Sequence, residues 1–168
     1  MKKEYIIIIV VLIVIIGVFL FMKKKKDDLK VEIKDVNIFH LSYSNGYMMN
    51  ANIIYRFDYD KDTGKYMITV KPYLVAEEDQ VVVEAPEGFR EKIKDILIKY
   101  NVNKWNGFKK VDKNVLDGDS FSLFVRMEDD SEIEASGYMK WPDNYRNVIG
   151  EYDSLFIEIY NKEKGINE

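Results

Sequence analysis

Asp58, Asp60 and Asp62 stand at alternate positions of the run Asp58-Tyr59-Asp60-Lys61-Asp62-Thr63-Gly64. That is the spacing at which a calcium loop sets its first three oxygen ligands. The register then fails. The sixth position of such a loop needs Gly and holds Thr63; the twelfth needs a bidentate Glu and holds Thr69. A polar turn between strands, begun by Asp and ended by Gly, explains the same residues with fewer demands. The single histidine, His40, could act as a base only beside a nucleophile. Neither a cysteine nor a G-x-S-x-G elbow occurs, and one histidine cannot build a multi-histidine metal site. An ordinary hydrogen bond from a strand position is the simpler expectation. Glu128, Asp129, Asp130, Glu132 and Glu134 could divide acid and base roles, but that needs a buried cleft. Crowded on one short hairpin, they read as a solvated face.

Two aromatic segments carry the strongest candidates: Trp105-Asn106-Gly107-Phe108 and Trp141-Pro142-Asp143-Asn144-Tyr145. Both fall in connections, where binding residues concentrate. Trp105, Phe108, Trp141 and Tyr145 would suit a ligand platform or a partner hot spot. The competing reading makes both tryptophans caps on the ends of the core, because each buries so much apolar surface. Gly107 and Gly118 then serve backbone turns. No motif commits the chain to a reaction or a cofactor.

The elements that must position these residues follow from periodicity. Val31 to Ser44 and Tyr47 to Tyr59 read as strands joined at Asn45-Gly46, a strong hairpin signal. In the second, Tyr47, Met49, Ala51, Ile53, Tyr55, Phe57 and Tyr59 share one face. A third strand runs from Lys65 to Val75, with Tyr66, Ile68, Val70 and Leu74 on one face and Pro72 marking an edge or an end. After the solvated Glu77-Glu78-Asp79, Gln80 to Glu84 is a short apolar strand. Pro86 opens a helix to Tyr100 whose stripe is Phe89, Ile93, Ile96, Leu97 and Tyr100. Asn101 to Asp119 reads as a long loop. Ser120 to Glu128 and Ser131 to Tyr138 form a hairpin across Asp129-Asp130. A last helix, Asp143 to Lys162, is opened by Pro142 and buries Tyr145, Val148, Ile149, Tyr152, Leu155, Phe156 and Ile159. The expected fold class is α+β: an N-terminal transmembrane helix, then an antiparallel sheet of about six strands with two helices on one face.

The N-terminus differs in kind. Tyr5 to Met22 is 18 residues without a charge, and at ~1.5 Å per residue it spans roughly a bilayer's hydrocarbon. It runs through Phe21-Met22 into four lysines, with no small-residue cleavage site, so a retained single-pass anchor is expected. Residues 1–26 then form the anchor with its basic flanks, 27–35 a short tether and strand start, and 36–164 one domain. Residues 1–26 carry six Lys and one Glu, a net of +5; the remaining 19 basic and 28 acidic residues give −9. The basic flanks suit anionic lipid, and the acidic domain repels nucleic acid. The absence of cysteine excludes disulfides, zinc–thiolate sites and thioether lipidation. Counting lysines, the positive-inside rule puts the domain in the cytoplasm.

Four strings resemble a known pattern: Trp105-Asn106-Gly107-Phe108, Leu116-Asp117-Gly118-Asp119-Ser120-Phe121-Ser122-Leu123, Ile133-Glu134-Ala135-Ser136-Gly137 and Pro142-Asp143-Asn144-Tyr145. Together with Leu41 to Gly46, they resemble a family of uncharacterised, membrane-anchored or lipoprotein-like domains of clostridia and related Firmicutes. The resemblance covers most of residues 36–160. It departs at Asp129-Asp130, where the family more often has Asp-Gly, and in the missing lipoprotein cysteine. The family implies an exported, surface-tethered domain and no particular activity, which favours the outer face over the lysine count. The expected function is non-enzymatic binding of a protein or an envelope component through the Trp105 and Trp141 connections. The alternatives are a carboxylate-based envelope enzyme and an acidic inhibitor or immunity-type protein.

Overall fold

A computed structural model describes residues 11–18, 31–44 and 52–166. The chain divides into two compact units, Met1–Lys30 and Val31–Glu168. In the first, residues 11–18 are helical with their side chains exposed. Most of the expected anchor lies outside the described residues. No helix among the described residues is long and apolar enough to cross a membrane.

The second unit is α+β. Its sheet comprises β1 (Val36–Ser44), β2 (Asn52–Asp60), β3 (Lys65–Lys71), β4 (Val81–Glu84), β5 (Phe108–Val111), β6 (Ser120–Met127) and β7 (Glu132–Tyr138). Their spatial order is β4-β3-β2-β1-β6-β7-β5. Strand β1 is central and pairs antiparallel with both β2 and β6. Its register shifts between Val36 and Ile38, a bulge that lets Val36 and Phe39, three apart, both point inward. Both edges of the sheet are strands of four residues, a length that blunts edge-to-edge pairing.

Helices α1 (Phe89–Lys99) and α2 (Tyr145–Lys164) pack on the same face. Phe156 stacks on Tyr55 at 4.7 Å and meets Phe89 edge-on at 5.2 Å, while Phe39 contacts Tyr152 at 4.5 Å. Alternation on β2 and β6 buries Tyr55, Phe57, Phe121, Leu123, Val125 and Met127 beneath the helices. Arg90 ties α1 to the sheet by donating to the Val36 carbonyl at 2.8 Å and covering the Tyr66 ring.

Each helix starts three residues after its proline, later than the sequence implied. Phe89 N–H donates to the Pro86 carbonyl and Tyr145 N–H to that of Pro142. Gly88 (φ 79°, ψ 0°) and Asn144 (φ 62°, ψ 10°) occupy the third position of these turns. Those angles are the ones a type II turn requires, which Gly or Asn supplies. Pro-Glu-Gly-Phe and Pro-Asp-Asn-Tyr are therefore one device used twice. Helix α2 ends on Gly165 (φ 67°), with Ile166 N–H reaching back to the Asn161 carbonyl, a Schellman cap.

Four further expectations need correction. Strand β3 ends at Lys71, before Pro72, and Leu74 is 59% exposed rather than on the buried face. Ser44 lies opposite Asn52, a register offset from the one that a two-residue turn at Asn45-Gly46 implies; Asn45, Gly46 and Tyr47 to Ala51 themselves lie outside the described residues. The span expected as a loop, Asn101 to Asp119, holds a 3-10 turn at Val102–Trp105 and strand β5, which pairs parallel with β7. Among the described residues the sheet thus has seven strands and one parallel pair. Lastly, the β6–β7 turn is three residues long: Met127 N–H bonds the Ser131 carbonyl, and Asp130 takes φ 63°. Three-residue hairpins favour Gly there. Asp130→Gly should therefore raise stability by about 0.5–1 kcal/mol, visible as a higher melting temperature.

Candidate functional site

The first turns of α2 carry Tyr145, Arg146, Ile149, Gly150 and Asp153 at spacings of three and four, which places them along one flank of the helix. That flank faces the ends of β1 and β2. Together with Tyr43, Ser44, Ile53, Tyr73, Asp119 and Trp141 it lines a cleft of about 520 Å³. The volume is in the range of small-molecule sites. Trp141 stacks on Tyr145 at 4.6 Å and 25°, and both rings rest on Phe121, at 5.8 and 4.8 Å. The Pro142 turn fixes this pair, because it reverses the chain between the two rings.

At the other end of the cleft, Asp153 accepts hydrogen bonds from the Tyr43 and Tyr55 hydroxyls, the latter at 2.8 Å. Burial, then the neighbouring Tyr55, then Asp153 itself push the Tyr43 phenol well above its usual range. Burial and then Asp153 do the same to Tyr55. Tyr145 is raised by burial and then by Asp119 and Asp153. All three phenols therefore remain neutral at any physiological pH.

A second, smaller cleft of about 290 Å³ lies against Trp141 and is lined also by Tyr100, Lys104, Phe108, Lys110 and Asp143. The four aromatic candidates thus meet in one cluster, and Trp141 borders both clefts. Their roles differ. Trp105 is only 2% exposed and donates its indole N–H to the Asp143 carbonyl at 3.0 Å; it is core. Phe108 is half-buried, with the Lys110 ammonium 5.0 Å from its ring centre. Trp141 and Tyr145 are half-buried and border the larger cleft.

The other candidates are not brought together. Asp58 lies 2.5 Å from His40 Nε2, on the sheet face away from the helices. Asp60 spends its carboxylate on its own turn, accepting from the Asp62 and Thr63 N–H groups and the Thr63 hydroxyl. Among the described residues no group of three or more histidine or acidic side chains could hold a metal ion.

On the acidic hairpin, Asp129 meets Lys34, Glu132 meets Arg126 and Glu134 meets Lys109. The Lys34 ammonium, helped by the Ser131 hydroxyl, holds Asp129 down at about 2; Lys94 lowers Asp35 in the same way. Unfolded, such carboxyls titrate near ~4. Their contribution is therefore present above about pH 4 and lost as pH falls towards 2. Melting temperature should be level from neutrality to about pH 4 and then decline, and added salt should flatten the decline.

Tyr43, Tyr73, Asp119, Arg146 and Asp153 were not legible as a site. Asp153 looks like an ordinary polar position beside an apolar stripe, and its partner Tyr43 is 110 residues away in sequence. No protein-family model matches this chain, and no curated protein is significantly similar to it.

Proposed function

We propose that the chain is a membrane-anchored domain, exposed outside the cytoplasm, that binds a partner protein or an envelope component without catalysis through the cleft between Trp141 and Asp153. The observation that carries this reading is the stacked Trp141–Tyr145 pair on a cleft of about 520 Å³, braced from behind by the buried Phe121. Rigid aromatic rings beside fixed polar groups are what binding sites are commonly built from. Anchoring is supported by the uncharged stretch Tyr5 to Met22, within which Val11, Leu12, Ile13 and Val14 are each more than half exposed. Apolar side chains so displayed gain from lipid what they lose in water. Placement on the outer face rests on the family resemblance described above. Trp141→Ala should leave the domain folded and abolish capture of the envelope component. Capture that survives this change, or protease digestion of intact cells that spares the domain, would sink the proposal.

One observation favours an enzyme instead: Asp119 and Asp153 line the same cleft, and both act on the Tyr145 phenol. Two such carboxylates could share acid and base roles. Under that reading Asp119→Asn and Asp153→Asn each abolish turnover of an envelope substrate; under the binding reading the substrate is recovered unchanged.

A further inference from the structure

Several half-buried acids in this fold meet a cation. Asp35 meets Lys94, Asp112 meets Lys140, Glu132 meets Arg126 and Glu151 meets Lys99. Asp153 is equally half-buried, yet among the described residues no lysine, arginine or histidine lies within ion-pair distance of it. Its partners are two neutral phenols, and both donate to the same oxygen, Oδ1. Oδ2 receives no hydrogen bond among the described residues. No buried side-chain oxygen there lacks a partner, so Oδ2 keeps access to solvent, and Asp153 lines the cleft.

The carboxylate is thus clamped by one oxygen and offers the other. Tyr43 and Tyr55 stand beside it, and Tyr73, Trp141 and Tyr145 line the same cleft. A negative charge without a counter-ion, beside electron-rich rings, matches one chemistry above others. An organic ammonium gains a charge-assisted hydrogen bond or ion pair from the carboxylate, and the rings lining the cleft give the ligand's apolar part a surface to pack on. The net charge of −9 on residues 27–168 draws cations towards the domain. Arg146 bears on the geometry. It precedes Asp153 by seven residues on the same helix flank, about 10 Å along the axis, and forms no ion pair with it. The cationic end of a ligand therefore belongs at Asp153, and any neutral or anionic end towards Arg146.

We infer that the cleft receives an organic ammonium group, seated on Oδ2 of Asp153, with the rest of the ligand reaching along the cleft towards the rings of Trp141 and Tyr145. This rests on the reading of the cleft as a binding site. The ammonium could be a primary amine, as on a lysine side chain, or a quaternary one, and the test separates them.

Full-length protein in a non-ionic detergent is titrated with N-acetyl-lysine amide and with choline. The neutral isosteres N-acetyl-norleucine amide and 3,3-dimethylbutanol serve as controls. Binding is followed by the aromatic resonances of the cleft, from Tyr43 beside Asp153 to the Trp141 indole. At least one ammonium probe should bind about tenfold more tightly than its isostere, with the stronger probe naming the class. Asp153→Asn, which keeps the acceptor for both tyrosines, should erase that preference while the melting curve stays cooperative. The unsubstituted protein gives the same answer without any variant, through movement of those resonances on adding amine but not isostere. Equal binding of isosteres, a preference retained in Asp153→Asn, or no response to either ammonium overturns the inference. If Trp141→Ala still abolishes capture of the envelope component, the binding function survives that failure; if it does not, both fall.

Discussion

Trp105→Ala is expected to cost about 3–5 kcal/mol, as truncating a buried large aromatic does, and so to unfold much of the protein. The residue is 2% exposed and anchors the start of the β5 connection. Its ring packs against Phe121 and Tyr145, both at 6.1 Å. Its indole N–H holds the Asp143 carbonyl, inside the turn that launches α2. Alanine leaves a cavity and removes that carbonyl's donor at the same time. Trp105→Phe keeps most of the packing and loses only the hydrogen bond, so about 1–2 kcal/mol is expected. Trp141→Ala, at a half-buried position on the cleft wall, should fall nearer the second figure than the first. Urea unfolding of the full-length protein in detergent, followed by near-ultraviolet circular dichroism, ranks the three. A Trp105→Ala protein as stable as the parent would contradict the core assignment.

Gly137→Ala is expected to lower stability by about 3 kcal/mol, the upper end of what overpacking costs. A Cβ at this position would sit 2.1 Å from the Lys140 carbonyl oxygen and 2.6 Å from Cε1 of Phe121. The first contact is with backbone, which cannot rotate away. It arises because the chain folds back over the end of β7 before entering Trp141-Pro142. Phe121 in turn supports Trp105, Phe108, Trp141 and Tyr145, so relief by moving its ring would disturb the cleft wall. For a domain of this size the loss corresponds to roughly 10 °C in melting temperature. Gly150→Ala is the matched control. Nothing lies within 4 Å of a Cβ built there, and alanine in an exposed helix interior gains about 0.5–1 kcal/mol over glycine. Opposite shifts for the two variants are the expected result. Phe121→Leu in the Gly137→Ala background should recover only part of the loss, because the carbonyl clash remains.

Much of the scaffold was written in local periodicity. The alternation of Phe121, Leu123, Val125 and Met127 gives β6 its buried face, and the stripe Val148, Ile149, Tyr152, Leu155 and Phe156 gives α2 its own. Two-residue and 3.6-residue periods need no partner to be visible. Strand β5 carries no such period. Of its four residues, Lys109, Lys110 and Val111 are exposed, and its parallel pairing with β7 depends on a chain reversal the local residues do not announce. The β1–β2 register misled for a related reason: Asn45-Gly46 favours a tight turn, but the pairing of Ser44 with Asn52 is decided over the whole ladder.

The candidate site divides along the same line. Sequence alone placed the aromatic residues at 105, 108, 141 and 145 in and beside the connections, and left open whether they form a ligand platform or cap the core. It also determined the charge asymmetry between residues 1–26 and the rest of the chain, and the uncharged stretch from Tyr5 to Met22. Only the tertiary structure decided which of those rings are core and which border a cleft, because burial depends on what packs above each ring. It alone set Asp153 against Tyr43 and Tyr55, 110 and 98 residues away in the chain, and left one carboxylate oxygen accessible. A hydrogen bond across that separation is a property of the folded sheet and helix together, and no window along the chain contains it.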